Sequence, residues 1–239
     1  MKNSMMTLMT MVVVMMAIVT TVRAVANNVT LVLLEESMCP DCQDFMNEEL
    51  VPTLQAKGVA EILTIEIIPW GNAYFETSEC PTKTPGKFDG KACRCWMSTC
   101  AAPNASVTDC FGPGQAVCQH GENECLGDRI SACVIDMVPV NSPQVTSFEI
   151  CFVGKNEGDL TAAQGCVESV GLKFEDVMGC AKGSRGDVLE RIAAVNTLKA
   201  DARHQGVPWA IIDGQVVQNN ILSAICQAYK GPRPEGCPN

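Results

Sequence analysis

The stretch "VTLVLLEESMCPDCQDFMNEELVPTLQAKGVAEILTIEIIPWG", residues 29–71, constrains the fold more than any other part of the chain. Residues 29–37 are rich in Val and Leu, are bounded by Asn and Ser, and read as a buried strand. Phe45, Met46, Leu50 and Leu54 then recur at helical spacing, Gly58 offers a stop, and Pro52 is expected to kink the helix. Residues 59–71 alternate and end in Pro-Trp-Gly, a second strand. Strand, helix, strand in so short a span is a βαβ unit, which demands a parallel pair and a right-handed crossover.

Cys39-Pro40-Asp41-Cys42 stands where the first strand meets the helix. A helix N-terminus offers unpaired N–H groups and a positive partial charge, and both stabilise a thiolate. Only the thiolate attacks a disulfide. Cys39 is therefore the candidate nucleophile, and Cys42, one turn on, the residue that resolves the mixed disulfide. Pro40 suits the first helical position. Asp41 works against the thiolate, since a nearby negative charge raises a thiol pKa.

Further along, residues 76–117 hold Cys80, Cys93, Cys95, Cys100 and Cys110 among many Pro, Gly and Thr without an apolar period. They read as a disulfide-stapled insertion. Residues 118–183 read as a helical insertion. "SRGDVLERIAAVNTLKADARHQ" continues the helices, with Ser184 as its cap and Val188, Ile192, Val195 and Leu198 as its apolar stripe. "GVPWAIIDGQVV" reads as a hairpin turning at Asp213-Gly214, and "ILSAICQAYKG" as a last helix. This order is that of an α/β, thioredoxin-like fold with a helical, disulfide-rich insertion. In such folds a cis-proline faces the CxxC pair, and Val207-Pro208 falls at that place as a substrate-binding element.

The compartment follows from composition. Residues 1–26 carry Lys2, a long uncharged run and a small-x-small ending, Ala24 to Ala26, and read as a cleaved signal peptide. The mature domain then spans 27–239. It keeps 15 basic and 27 acidic residues once Lys2 and Arg23 are removed, which argues against nucleic acid or an anionic membrane as partner. Fifteen cysteines behind a leader imply an oxidising compartment. Sequons at Asn28 and Asn104 agree with export. No G-x-G-x-x-G follows a strand, so neither a flavin nor a nicotinamide is expected as cofactor.

"CQHGENEC", residues 118–125, with Cys133 beyond it, admits two readings. Cys118, His120, Cys125 and Cys133 are a possible zinc set, and the cysteines are equally possible disulfide partners. Cys151, Cys166, Cys180, Cys226 and Cys237 read as staples for helices and tail. With Cys39 and Cys42 set aside thirteen cysteines remain, so one is odd, and Cys237 near the end is the natural guess. His204 reads as a charge at a helix C-terminus rather than a catalytic group.

The run "CQHGENECLGDRISAC", Cys118 to Cys133, resembles the C-Q-H-G-x-x-E-C-x-x-N-x-x-x-x-C signature of the gamma-interferon-inducible lysosomal thiol reductase (GILT) family. Asp128 stands where the family has Asn. "PWGNA" (69–73) and "VPWAIIDG" (207–214) are similar to family blocks as well. The resemblance implies a reductase of protein disulfides that works at acidic pH through Cys39 and Cys42. It implies no bound cofactor, an external small thiol as reductant, and a lysosomal, vacuolar or secreted location. It also implies that Cys118, Cys125 and Cys133 are structural, with His120 and Gly121 shaping the turn into a helix. Asp128, which accepts hydrogen bonds but donates only when protonated, is expected to stay clear of the redox pair. Two rivals stand beside this reading: an oxidase or isomerase of the DsbA or protein disulfide isomerase kind, and a secreted binding module in which every cysteine is structural.

Overall fold

In the computed structural model, the parallel pair predicted from residues 29–71 forms between β1 (Val29–Glu35) and β2 (Leu63–Pro69), in register from Val29↔Leu63 to Glu35↔Pro69. The model describes residues 28–112, 116–155 and 160–239; the expected leader, 1–26, lies outside the described residues. β5 (Trp209–Ile212) runs antiparallel to β1, with Leu34 opposite Trp209, and β6 (Gln215–Val217) completes the sheet in the order β2-β1-β5-β6. Asp213 and Gly214 both take positive φ in the hairpin turn, 45° and 82°, as a two-residue turn of this hand requires.

This topology gathers three distant segments at one end of the sheet. β1 and β2 both end there, carrying Cys39 and the Trp70–Asn72 turn, and β5 begins there, just after Val207-Pro208. Leu31, Leu33 and Leu34 of β1 are wholly buried beneath the flanking helices. Glu35 and Glu36 at the strand end are buried as well.

The helix after Cys39 is built in three parts: α1 (Pro40–Asp44), a π-helical stretch (Phe45–Leu50) and α2 (Val51–Gln55). The Val51 N–H reaches back five residues to the Met46 carbonyl. Pro52 cannot donate, and its ring would crowd the carbonyl four residues back. The expected kink is therefore taken up as a widened turn.

Residues 76–117 are more regular than their composition suggested. After β3 (Tyr74–Phe75) come α3 (Gly90–Cys100) and α4 (Val107–Cys110), and β4 (Ala116–Val117) returns to pair with β3. Disulfides Cys80–Cys95 and Cys100–Cys110 hold α3 at its middle and at its C-terminal end. Trp96 of α3 is buried 5.9 Å from Trp70 and 5.8 Å from Phe111, and its indole donates to the Cys110 carbonyl at 2.9 Å. The buried residues Ala92, Cys93, Trp96, Met97 and Cys100 recur at helical spacing, a short period that the reading of the sequence passed over.

The second insertion carries α5 (Glu122–Met137), α6 (Pro143–Phe152), α7 (Ala163–Ser169) and α8 (Phe174–Ala181), followed by α9 (Ser184–Asp201) and, after the hairpin, α10 (Ile221–Ala228). Two expectations for α9 fail. Ser184 is its first residue, with Gly183 in the cap position and no side-chain cap bond. Val188 and Ile192 are exposed, at 46% and 45%, while Leu189, Ala193, Ala194 and Thr197 face the core. The buried face is the one that α9 turns to α5 and α8, one step round the helix from Val188 and Ile192. No helix among the described residues is long and apolar enough to cross a membrane.

Candidate active site

Cys39 and Cys42 are unpaired thiols. Cys39 occupies the cap position of α1 in extended backbone, followed by Pro40 at the first helical position. It is only 6% exposed and lies at the wall of a cleft of about 760 Å³ that His120, His204 and Val207 also line. Its thiol donates to the Val207 carbonyl at 3.7 Å. The Val207-Pro208 bond is cis.

The two thiols are driven apart in acidity. A hydrogen bond from the Cys42 thiol, joined by the backbone N–H groups of Cys42 and Asp41 and by the charge of His120, pulls the Cys39 thiol down to about 6 against the opposing effect of burial. Burial, the hydrogen bond given to Cys39 and the nearby Glu35 carboxyl push Cys42 well up. A low-pKa attacking thiol beside a high-pKa partner is what stepwise exchange needs. No Lys, Arg or His lies near Cys39 in sequence, but the fold brings the charge of His120 to bear on it.

Sequence reasoning missed a set of buried carboxyls behind the pair: Glu35, Glu36, Glu124, Asp128 and Glu149. Burial, first of all, pushes Glu124 up to about 7 and Glu149 up to about 8, and moves Glu35, Glu36 and Asp128 upward too. Glu36 accepts from the Asn72 N–H at 2.6 Å. Gly71, at φ +53°, makes room for this, since a Cβ there would lie 2.3 Å from the Glu36 side chain. The signal available in sequence was the pair Glu35-Glu36 at the end of an apolar strand.

Asp128 stays clear of the two thiols but not of the segment that carries them. It accepts the Ser37 N–H at 2.8 Å, two residues before Cys39, and so braces the segment that presents the thiol. Burial and the Glu124 charge push its carboxyl well up, and a neutral acid fills an amide's place.

The zinc set does not form. Cys118 pairs with Cys125 and Cys133 with Cys180, which removes three thiolates from reach of a metal. His120 turns instead to Glu124, whose Oε1 accepts its backbone N–H at 2.9 Å and whose Oε2 takes its Nδ1, with Glu36 Oε2 3.5 Å from the same nitrogen. The three ligand-type atoms come within 4.8 Å of one another, but the imidazole nitrogen is already engaged by a carboxylate.

Cys151 pairs with Cys166 and Cys226 with Cys237, so Cys237 is not the odd cysteine. That residue is Cys93, buried with its thiol 3.1 Å from the Asn72 carbonyl and pushed by burial to about 12. Three free thiols contradict the module in which every cysteine is structural. His204 is buried, with Nδ1 2.9 Å from the Asp201 carbonyl at the end of α9 and Nε2 3.1 Å from the Gly71 carbonyl. It ties the helix end to the Trp70–Asn72 turn. Asn28 and Asn104 are both exposed, at the start of β1 and between α3 and α4.

A family model described as "Gamma interferon inducible lysosomal thiol reductase (GILT)" matches residues 30–95 and 97–170. The chain is 28% identical over 225 residues to "Gamma-interferon-inducible lysosomal thiol reductase" of Carassius auratus, covering 89% of this chain and 73% of that one. It is 25% identical over 221 residues to "GILT-like protein 1" of Drosophila melanogaster, covering 84% and 75%. With the Mus musculus protein named as in Carassius it shares 27% over 208 residues, covering 84% and 68%. Among solved structures, DsbL of Salmonella enterica serovar Typhimurium aligns at 14% identity over 84% of this chain and 85% of that one, with a TM-score of 0.35. At that score the alignment carries no weight; the fold assignment rests on the sheet order and on the segments meeting at its end.

Proposed function

We propose, from the premise that this chain belongs to the gamma interferon inducible lysosomal thiol reductase family and is a thiol–disulfide oxidoreductase, that Cys39 and Cys42 are its working pair and that it reduces protein disulfides at acidic pH. The observation that carries this reading is the split between the two thiols: Cys39 lowered to about 6 at the helix start, Cys42 raised one turn behind it.

The reaction proceeds in two displacements. The Cys39 thiolate attacks one sulfur of the substrate disulfide, the substrate S–S bond breaks, and the departing sulfur leaves as a thiolate that takes up a proton. Cys42 then loses its proton and attacks the Cys39 sulfur. The second substrate thiol departs, and the enzyme is left with a Cys39–Cys42 disulfide. Two equivalents of an external small thiol return the pair to the dithiol by the same exchange. No bound cofactor takes part.

Acid pH suits this arrangement. At pH 5 an ordinary thiol of pKa ~8.5 is thiolate in roughly three parts in ten thousand, while a pKa near 6 raises that fraction to about a tenth. The carboxyls around Cys39 favour acid as well. Ionised Glu36 and Glu124 would oppose the thiolate, and Glu124 is neutral below about 7. The Val207 carbonyl lies next to the sulfur, just before β5, where a substrate backbone would be held. Disulfide-containing proteins are thus the substrates, and an acidic compartment of the secretory route, lysosomal as in the relatives' names, is the location.

Insulin disulfide reduction across pH 4 to 8 tests the reading. Wild type should stay active at pH 5, where an ordinary thiol would be almost wholly protonated. Cys39→Ser should be inactive, and Cys42→Ser should stall as a mixed disulfide. Activity retained in Cys39→Ser would reject the assignment.

A further inference from the structure

The two displacements leave one demand unmet. The first substrate sulfur departs as a thiolate, and a leaving thiol of high pKa departs more slowly than one of low pKa. Cys42 cannot supply it with a proton, because its own hydrogen points to Cys39.

We infer that His120 is the general acid of the first displacement, donating a proton from Nε2 to the departing substrate sulfur. This rests on the assignment of Cys39 as nucleophile. His120 lines the same cleft as Cys39 and Val207, with 31% of its side chain exposed there. Its Nδ1 faces inward, held by Glu124 Oε2 one helical turn on, with Glu36 Oε2 at 3.5 Å, and both carboxyls are fully buried. The backbone N–H of His120 bonds Glu124 Oε1 at 2.9 Å, so one carboxyl grips the residue twice. A ring pinned at Nδ1 presents Nε2 to the cleft, and Nε2 makes no hydrogen bond among the described residues. The Glu124 carboxyl, the His120 imidazole and the Cys39 thiol thus lie around one cleft.

The geometry excludes the alternatives nearby. His204 reaches the same cleft, but its two nitrogens face the carbonyls of Asp201 and Gly71. Cys93 holds its proton too tightly, at about 12. Arg203 and Asp41 also line the cleft. Arginine does not give up a proton in proteins, and a carboxyl donates only when protonated.

The step balances. The Cys39 thiolate forms a bond to one substrate sulfur, the substrate S–S bond breaks, and its electron pair goes to the departing sulfur. That sulfur takes the Nε2 proton and leaves as a thiol, and neutral His120 recovers a proton from water in the open cleft.

The test compares leaving groups in the Cys42→Ser background, where only the first displacement runs. One substrate is a dialkyl disulfide, bis(2-hydroxyethyl) disulfide; the other is the aromatic 5,5′-dithiobis(2-nitrobenzoic acid), whose thiolate leaves without a proton. Adding His120→Gln should slow the dialkyl reaction roughly 100-fold, the size of a general-acid contribution. The aromatic reaction should fall only by the smaller factor that reflects a less acidic Cys39. Glu124→Gln keeps the imidazole but loosens its hold, and should show the same selective loss to a lesser degree, which keeps the test open if His120→Gln folds poorly. Equal slowing of both substrates, or no slowing of either, overturns the role of His120. Failure of the Cys42→Ser parent to react with either disulfide would instead overturn the assignment of Cys39 itself.

Discussion

The Cys39 sulfur lies 3.7 Å from the Val207 carbonyl oxygen, across 168 positions of sequence. The contact exists because β1 and β5 are neighbours, with Leu34 opposite Trp209. A thiol can donate to that carbonyl and a thiolate cannot, so ionisation of Cys39 frees the Val207 oxygen to accept a substrate backbone N–H.

The largest influence lowering Cys39 is the Cys42 thiol. Cys42→Ala should therefore raise the pH at which Cys39 begins to react with iodoacetamide. The pH profile of the alkylation rate, read by mass spectrometry, measures this. An unchanged profile would mean that the helix N-terminus and His120 alone set the acidity.

Cys93 should be silent. Buried and pushed to about 12, it should resist alkylation in native protein across pH 5 to 8, and Cys93→Ala should retain disulfide reduction. Labelling of Cys93 at a rate matching Cys39 would show that the cleft opens further than its walls suggest.

Stability should be greatest in acid. Glu124, Glu149 and Glu190 have carboxyls raised in the folded state, to about 7, 8 and 7, mainly by burial. An unfolded glutamate titrates near ~4.3, so the folded state holds more protons between that pH and about 8. The stability contributed by these groups is full below about 4.3 and is lost as pH rises through 7 to 8. Thermal melts should give a higher Tm at pH 5 than at pH 8, and Glu149→Gln should narrow the gap. An equal or higher Tm at pH 8 would mean these carboxyls are better solvated than the fold implies.

The staples should be unequal. Cys133–Cys180 closes 47 residues of chain and Cys118–Cys125 only 7. On loop-closure entropy, removing the first costs about 4 kcal/mol and the second about 2.5 kcal/mol. Urea unfolding of Cys133→Ala/Cys180→Ala against Cys118→Ala/Cys125→Ala checks the order.

What could be read from the residues was local. Strand, Cys-Pro-Asp-Cys and helix are contiguous, and the hairpin turn at Asp213-Gly214 declares itself by residue type. The convergence of Glu35, Glu36, Glu124 and Asp128 behind Cys39 could not be read, because it depends on how α5 packs against the end of β1. The role of His120 was hidden for the same reason: in sequence it lies between two cysteines that pair with each other, and nothing local places it near Cys39. The apolar face of α9 was misread because periodicity ranks Val188 and Ile192 above Ala193 and Ala194, while the face turned to α5 and α8 carries the smaller pair. Cys93 and Cys237 exchanged places because disulfide partners are fixed by distance and not by order.

The most direct measurement is the titration of Cys39 in reduced, native protein, followed as thiolate absorbance near 240 nm with structural disulfides intact. The account predicts a thiol that titrates near 6, absent in Cys39→Ser. A Cys39 that titrates near ~8.5, as free cysteine does, would contradict it.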